Sequence, residues 1–110
     1  MGWEYKKHDD GIMEAWIFLN FTYSATTQWG SSGIYYGILT SSSIPNYPVP
    51  FVEYPVVTIY LASNSFWGGH NNGISRSLTT PVPDGLLIYR VGSATNYHFN
   101  LNIRAIGRWK

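Results

Sequence analysis

The sequence predicts an all-β protein, either an antiparallel β-sandwich or a jelly-roll-like barrel. No segment sustains the 3.6-residue period of a helix, whereas β-branched and aromatic residues recur in runs of strand length. Between these runs lie Asp-Gly and Asn-Gly dipeptides and loops rich in Gly, Ser and Pro, which are typical of turns. The 110 residues contain no repeat and no linker, so we expect one domain over residues 1–110.

The first predicted element is a β-hairpin. A strand over residues 3–7 leads into a turn at Asp10-Gly11, and a strand over residues 12–23 returns. Apolar and polar residues alternate along the second strand, so one of its faces is expected to be buried. Trp3 and Trp16 are expected near opposite positions across this turn, as an aromatic cross-strand pair.

Four further strands are expected over residues 33–39, 54–62, 85–91 and 97–107, which are rich in Val, Ile and Tyr. Asn72-Gly73 and Asp84-Gly85 indicate tight turns. Four prolines at positions 45, 48, 50 and 55 exclude a continuous central strand there. That segment is therefore expected to be a long crossing or an extended edge.

The composition excludes several classes of partner. The net charge is +1 and the seven Lys and Arg residues form no patch, so we expect no nucleic acid partner. The apolar runs are too short for membrane insertion. Cysteine is absent, so stability must come from packing or oligomerisation. Aromatic residues make up 17% of the chain, more than a core of this size needs, so the surplus is expected to face a ligand or another chain.

The sequence contains no constellation of catalytic residues, and we expect no enzymatic activity. Its three histidines lack metal-ligand spacing and no cofactor fingerprint occurs, so neither a metal nor a cofactor is expected. A glycosidase needs two opposed carboxylates, for which Glu14 and Glu53 are the remaining candidates. Glu14 is more simply explained as an ion-pair partner of Lys6 or Lys7 across the hairpin.

The segment "NSFWGGHNNG", residues 64–73, is the first candidate ligand site. An aromatic ring can stack on the apolar face of a sugar, while amide and imidazole groups bind its hydroxyls. The candidate saccharide-binding residues are therefore Trp67, His70, Asn71 and Asn72. In the alternative interpretation this segment is only a hairpin loop, and Trp67 fills the core or a subunit contact.

A second candidate group is formed by Trp29, Tyr35 and Tyr36 in "TTQWGSSGIYY". Because side chains alternate along a strand, one of the two adjacent tyrosines must point away from the core. That tyrosine and Trp29 are then available to a saccharide.

Both ends of the chain resemble a known family. "WEYKKHDDGIMEAW" at residues 3–16 and the terminal "AIGRWK" are similar to the C-terminal domains of tail-fibre and baseplate proteins from phages and prophages of Gram-positive bacteria. The resemblance implies a homotrimeric β head at the virion tail tip, joined to an upstream fibre or baseplate segment and assembled in the bacterial cytoplasm. It implies adhesion to host cell-surface saccharide, and it makes Trp3, Trp16 and Trp109 scaffold or trimer residues.

Two other functions stay open at this point. One is a structural trimerisation cap that binds no ligand, and the more distant one is the carbohydrate-binding module of a cell-wall hydrolase. The adhesion hypothesis differs from the cap in requiring weak saccharide sites that a trimer multiplies by avidity.

Overall fold

The computed structural model describes residues 2–63, 66–70 and 76–110, and it confirms the all-β sandwich: two four-stranded antiparallel sheets pack face to face. Sheet A contains, in spatial order, β1 (Glu4–Lys7), β2 (Ile12–Ala25), β8 (Ala94–Arg108) and β5 (Val56–Ala62). Sheet B contains β3 (Thr27–Gln28), β4 (Ile34–Leu39), β7 (Leu86–Val91) and β6 (Trp67–His70). One 3₁₀ turn spans Ser41–Ser43. Within the described residues, no helix has the length and apolar character needed to cross a membrane.

The two long strands β2 and β8 form the centre of sheet A. They pair antiparallel from Ile12 opposite Arg108 to Tyr23 opposite Tyr97, and a bulge follows Tyr23. A strand of 14 residues is about 48 Å long, so β2 extends along most of the 51 Å length of the molecule. The alternation predicted from the sequence is present, because Met13, Ala15 and Ile17 are buried while Trp16, Phe18 and Asn20 are exposed.

The main core lies between the two sheets. Its larger members come from alternate positions of the facing strands and from two loop residues: Ile17, Leu39, Ile44, Phe66, Leu86, Ile88, Phe99, Leu101 and Ile103. Full burial of one such side chain contributes about 1.5–3 kcal/mol. The sheets approach closely at Gly37, where a β-carbon would clash with the ring and hydroxyl of Tyr23.

The proline-rich segment is a crossing, as one of the two sequence alternatives predicted. It carries the chain from sheet B to sheet A and is held by backbone hydrogen bonds from Tyr47 N to Thr79 O (2.8 Å) and from Phe51 N to Leu78 O (3.0 Å). Tyr47 and Phe51 are buried in a second, smaller cluster with Met13 and Ala105. The segment therefore covers one part of sheet A.

The first hairpin is confirmed, but its register differs from the predicted one. Glu4, not Trp3, lies opposite Trp16. His8 N donates to Ile12 O (2.8 Å), which leaves three residues in the loop and moves the pairing by one position. Because a shift of one residue reverses the face of every side chain, the predicted Trp3–Trp16 pair is wrong. Trp3 packs instead on the ring of Tyr47, at 5.2 Å between centroids.

Candidate functional site

The outer face of sheet B carries a continuous row of four aromatic side chains, Trp29, Tyr36, Tyr89 and Trp67, which we call the aromatic row. The ring centroids of Trp29 and Tyr36 are 4.9 Å apart, and those of Trp29 and Tyr89 are 6.4 Å apart. Tyr89 is in turn 6.2 Å from Trp67. Adjacent ring planes differ by 27° to 34°, so the row contains no edge-to-face contact.

The strand ladder explains why these four residues meet. Tyr36 lies directly opposite Tyr89, and Tyr89 lies directly opposite Trp67. The buried side chain of Ile88 points inward on β7, so its neighbour Tyr89 points outward. Trp29 follows β3 and extends the ladder, because its N–H donates to Ile34 O at 2.9 Å.

The loop after Trp29 fixes the start of the row. The Ser32 hydroxyl donates to Trp29 O at 2.7 Å, and Ser32 N donates to the same carbonyl at 3.1 Å. Gly33 N donates to the Gln28 side-chain oxygen at 3.1 Å. These hydrogen bonds within the loop hold the backbone of Trp29 in place.

The structure brings together residues that the sequence placed in two separate candidate groups. Trp29 and Tyr36 come from one group and Trp67 comes from the other, while Tyr35 packs against the main core. His70 is the last residue of β6. Asn71, Asn72 and the turn expected at Asn72-Gly73 lie outside the described residues.

Sequence reasoning missed Tyr89, the residue that joins the two groups. A signal was present, since Tyr89 alternates with the apolar residues Leu86 and Ile88 of "LLIYRV" and so belongs to the other face of its strand. Without the strand order, however, nothing in the sequence indicated that this face adjoins Tyr36 and Trp67.

Hydrogen bonding divides the five tryptophans into two groups. The indole N–H groups of Trp3 and Trp109 donate to backbone carbonyls at 2.9 and 3.1 Å, and that of Trp16 donates to the Glu4 carboxylate at 2.8 Å. These three are the residues that the terminal motifs assign to the scaffold. Their polar atoms are already used within the chain.

The polar atoms of the aromatic row are not used in this way. The indole N–H groups of Trp29 and Trp67 and the hydroxyls of Tyr36 and Tyr89 have no hydrogen-bond partner among the described residues. The side chains of Trp29 and Trp67 are 45% and 58% exposed. The row thus combines exposed aromatic surface with donors and acceptors that no described residue binds.

A second group of exposed apolar residues lies on the outer face of sheet A, among polar and charged side chains. We call it the sheet A face; its exposed members are Trp16, Phe18, Val56, Tyr60 and Ile106. Two shallow cavities of about 300 and 390 Å³ lie on either side of the ridge formed by Trp16 and Phe18. The first cavity reaches Tyr60 on β5, and the second reaches Trp3 before β1.

The carboxylate of Glu14 on this face is held in an ion pair. Arg104 donates to it at 2.6 Å, and His8 Nε2 lies 3.2 Å from its other oxygen. These hydrogen bonds, first that of Arg104 and then that of His8, lower the pKa of Glu14. The expected pairing with Lys6 or Lys7 is wrong, because Arg104 on the adjacent strand reaches the carboxylate instead. A lowered pKa keeps this carboxylate ionised at neutral pH, which suits an ion pair and does not suit a general acid.

Comparison with known proteins shows a similarity of fold. No protein-family model and no curated protein matches the chain. A C-terminal fragment of the R1 pyocin fibre of P. aeruginosa is 14% identical with a TM-score of 0.51, over 97% of this chain and 28% of the fragment. An N-truncated R1-type pyocin tail fibre is 13% identical with a TM-score of 0.51, over 97% of this chain and 86% of that one. The chain thus spans little more than a quarter of the first fibre fragment.

Proposed function

We propose that this chain is the head domain of a phage tail-fibre or baseplate protein, which adheres to the host cell by binding surface saccharide at the aromatic row and catalyses no reaction. The fold shared with two pyocin fibre structures and the motifs at both ends of the chain support the fibre assignment. The aromatic row is the observation that carries the binding assignment.

The chemistry of the aromatic row suits a sugar. A pyranose ring has apolar faces of C–H groups, which pack on aromatic rings, and an equator of hydroxyls, which need hydrogen-bond partners. Trp29, whose ring contacts both tyrosines, and Trp67, at the β6 side of the row, offer exposed aromatic surface. Beside them, the hydroxyls of Tyr36 and Tyr89 can donate and accept hydrogen bonds.

The sheet A face suits association of the head with two further copies and with the upstream fibre segment. A stable protein interface buries about 800 Å² on each partner. Sheet A has strands of 14 and 15 residues, whereas the strands of sheet B have two to six. Sheet A therefore offers the larger surface. A homotrimer assembled through it leaves three aromatic rows facing outward, and avidity multiplies three weak sites.

In this assignment the protein lies at the tip of the virion tail and is assembled in the cytoplasm of the bacterial host. The terminal motifs resemble proteins of Gram-positive phages, whereas the pyocin fibre of similar fold comes from P. aeruginosa, a Gram-negative bacterium. The panel of cells in the decisive experiment therefore includes both kinds of bacteria.

The experiment measures adhesion of purified protein to this panel of cells. Trp67→Ala is expected to abolish adhesion without changing the melting temperature or the oligomeric state, because the side chain is 58% exposed and makes no internal hydrogen bond among the described residues. Tyr54→Ala is the matched control, since Tyr54 is 57% exposed and lies outside the row.

Two results would contradict the proposal. If Trp67→Ala dissociates the oligomer or lowers its melting temperature by the amount typical of a lost core aromatic, the row is a subunit contact and the protein is a structural cap. If folded Trp67→Ala and Trp29→Ala proteins both adhere like the wild type, the row is not the receptor site.

A further inference from the structure

The aromatic row extends across the whole width of sheet B, and its extent bears on the size of the ligand. Its residues come from all four strands or their ends: Trp29 follows β3, Tyr36 lies on β4, Tyr89 on β7 and Trp67 on β6, and the ring of Trp29 lies against both tyrosines. Neighbouring strands are about 4.8 Å apart. One sugar ring covers one aromatic ring, so a single sugar leaves most of the row in water.

The outer face of sheet B carries no charge among the described residues. Its outward positions on the four strands are Thr27, Ile34, Tyr36, Ile38, Trp67, Leu87, Tyr89 and Val91. The one cationic side chain on these strands, Arg90, alternates with Tyr89 and lies 4.9 Å from the ring of Tyr97. Proteins bind carboxylates and phosphates through Arg and Lys, and the row offers neither.

We infer that the aromatic row binds an extended, uncharged saccharide chain that lies across the strands of sheet B, with several successive sugar units on the rings. This inference rests on the proposed function and specifies its ligand. The two exposed tryptophans supply most of the stacking surface, and the two tyrosines contact the saccharide beside them. The hydroxyls and indole N–H groups of the row, which no described residue binds, select a ligand rich in hydroxyls over a purely apolar one.

The inference makes affinity depend on the length of the saccharide. Ladders of neutral oligosaccharides, with one to six glucose or N-acetylglucosamine units, are titrated against the intact protein, and binding is followed by tryptophan fluorescence. Each unit that reaches a further ring is expected to raise the affinity about fivefold, until the row is filled. Longer oligosaccharides then bind no more tightly.

Variants of the two exposed tryptophans of the aromatic row give a sharper test. Trp29→Ala and Trp67→Ala are each expected to make the affinity level off at a shorter oligosaccharide, while the shortest member that binds is affected less than the longest. The double variant is expected to lose binding. Tyr54→Ala, outside the row, is expected to behave like the wild type.

Several outcomes overturn the inference. These are an affinity that does not change with length, tighter binding of a sulfated polymer than of its neutral parent, binding of a proline-rich peptide in preference to every saccharide, or no binding to either ladder. Proline-rich peptides are included because they also dock on rows of aromatic residues. If the protein still adheres to cells through Trp67 in any of these cases, the adhesion function stands and only the ligand class is wrong.

Discussion

The hydrogen bonding of the indole nitrogen divides the tryptophans into two groups. Where the indole nitrogen is bonded within the chain, as in Trp3, Trp16 and Trp109, the side chain fastens one segment to another. Where it has no partner in the described part of the chain, as in Trp29 and Trp67, the side chain belongs to the proposed saccharide site. Sequence alone could assign these roles only through the terminal motifs, because the hydrogen-bond partners are distant along the chain.

The glycine of the first turn is expected to tolerate substitution poorly. Gly11 and Gly30 both have positive φ, of 97° and 55°, and an alanine there costs about 1–2 kcal/mol. A β-carbon on Gly11 would also lie 2.7 Å from Arg108 Nη2, whereas Gly30 has open space around it. Gly11→Ala should therefore lower the free energy of unfolding more than Gly30→Ala does, as measured by urea denaturation. By the same argument, Gly11→Val should lower the free energy of unfolding more than Lys6→Ala does. The opposite ranking would refute this account of the turn.

Tyr47 is expected to limit stability in alkali. Its hydroxyl is buried with no hydrogen-bond partner among the described residues, and burial raises its pKa above the ordinary value of 10.0. Because the folded state holds the phenol neutral, the stability that depends on it is present below pH 10 and lost as pH rises further. At pH 7 the free energy of unfolding of Tyr47→Phe should equal that of the wild type or exceed it by up to about 1 kcal/mol. Above pH 10 the variant should lose less stability than the wild type. Equal losses in both proteins would contradict this explanation, and Tyr54→Phe controls for the loss of one exposed tyrosine.

The sequence predicted the individual strands better than it predicted how the strands pair. The long second strand and its buried face follow from an alternation with period two, which depends only on nearby residues. The predicted Trp3–Trp16 pair is wrong because one additional loop residue shifts the register by one position, which reverses the face of every side chain in the pairing. The aromatic row could not be predicted as one site, since the order β3-β4-β7-β6 that aligns Trp29 with Trp67 is a property of the assembled sheet.

The sheet A face is expected to hold the subunits together. Phe18→Lys places a charge in the middle of this face and should dissociate the oligomer, because burying an unpaired charge is costly. Ile38→Lys is the matched control on the outer face of sheet B, since the two side chains are 41% and 42% exposed. Sedimentation velocity distinguishes the two variants. If the oligomer survives Phe18→Lys but dissociates in Ile38→Lys, the subunits associate through the outer face of sheet B and not through the sheet A face.

For the whole molecule, we expect a homotrimer at micromolar concentration. Exposed aromatic and aliphatic residues lie on the outer faces of both sheets, and a chain without cysteine has no disulfide to supplement its core. Sedimentation equilibrium of the wild type should give three times the mass of the 12.5 kDa chain. The Phe18→Lys monomer should keep the wild-type affinity for a soluble oligosaccharide but detach readily from cells. A wild type that stays monomeric would remove the avidity on which adhesion depends.

The pairing of β2 with β8 also governs how the molecule is made. Ile12 pairs with Arg108, so the central ladder of sheet A joins segments that are far apart in the sequence. During synthesis β2 leaves the ribosome before strands β3 to β7, and its partner β8 leaves after them. Until then the edge of β2 that pairs with β8 stays unpaired and its apolar residues stay in water, a state that favours slow folding and aggregation. Folding of this head is therefore a late, nearly all-or-none event, and a nascent chain arrested before β8 has no central ladder on which to fold.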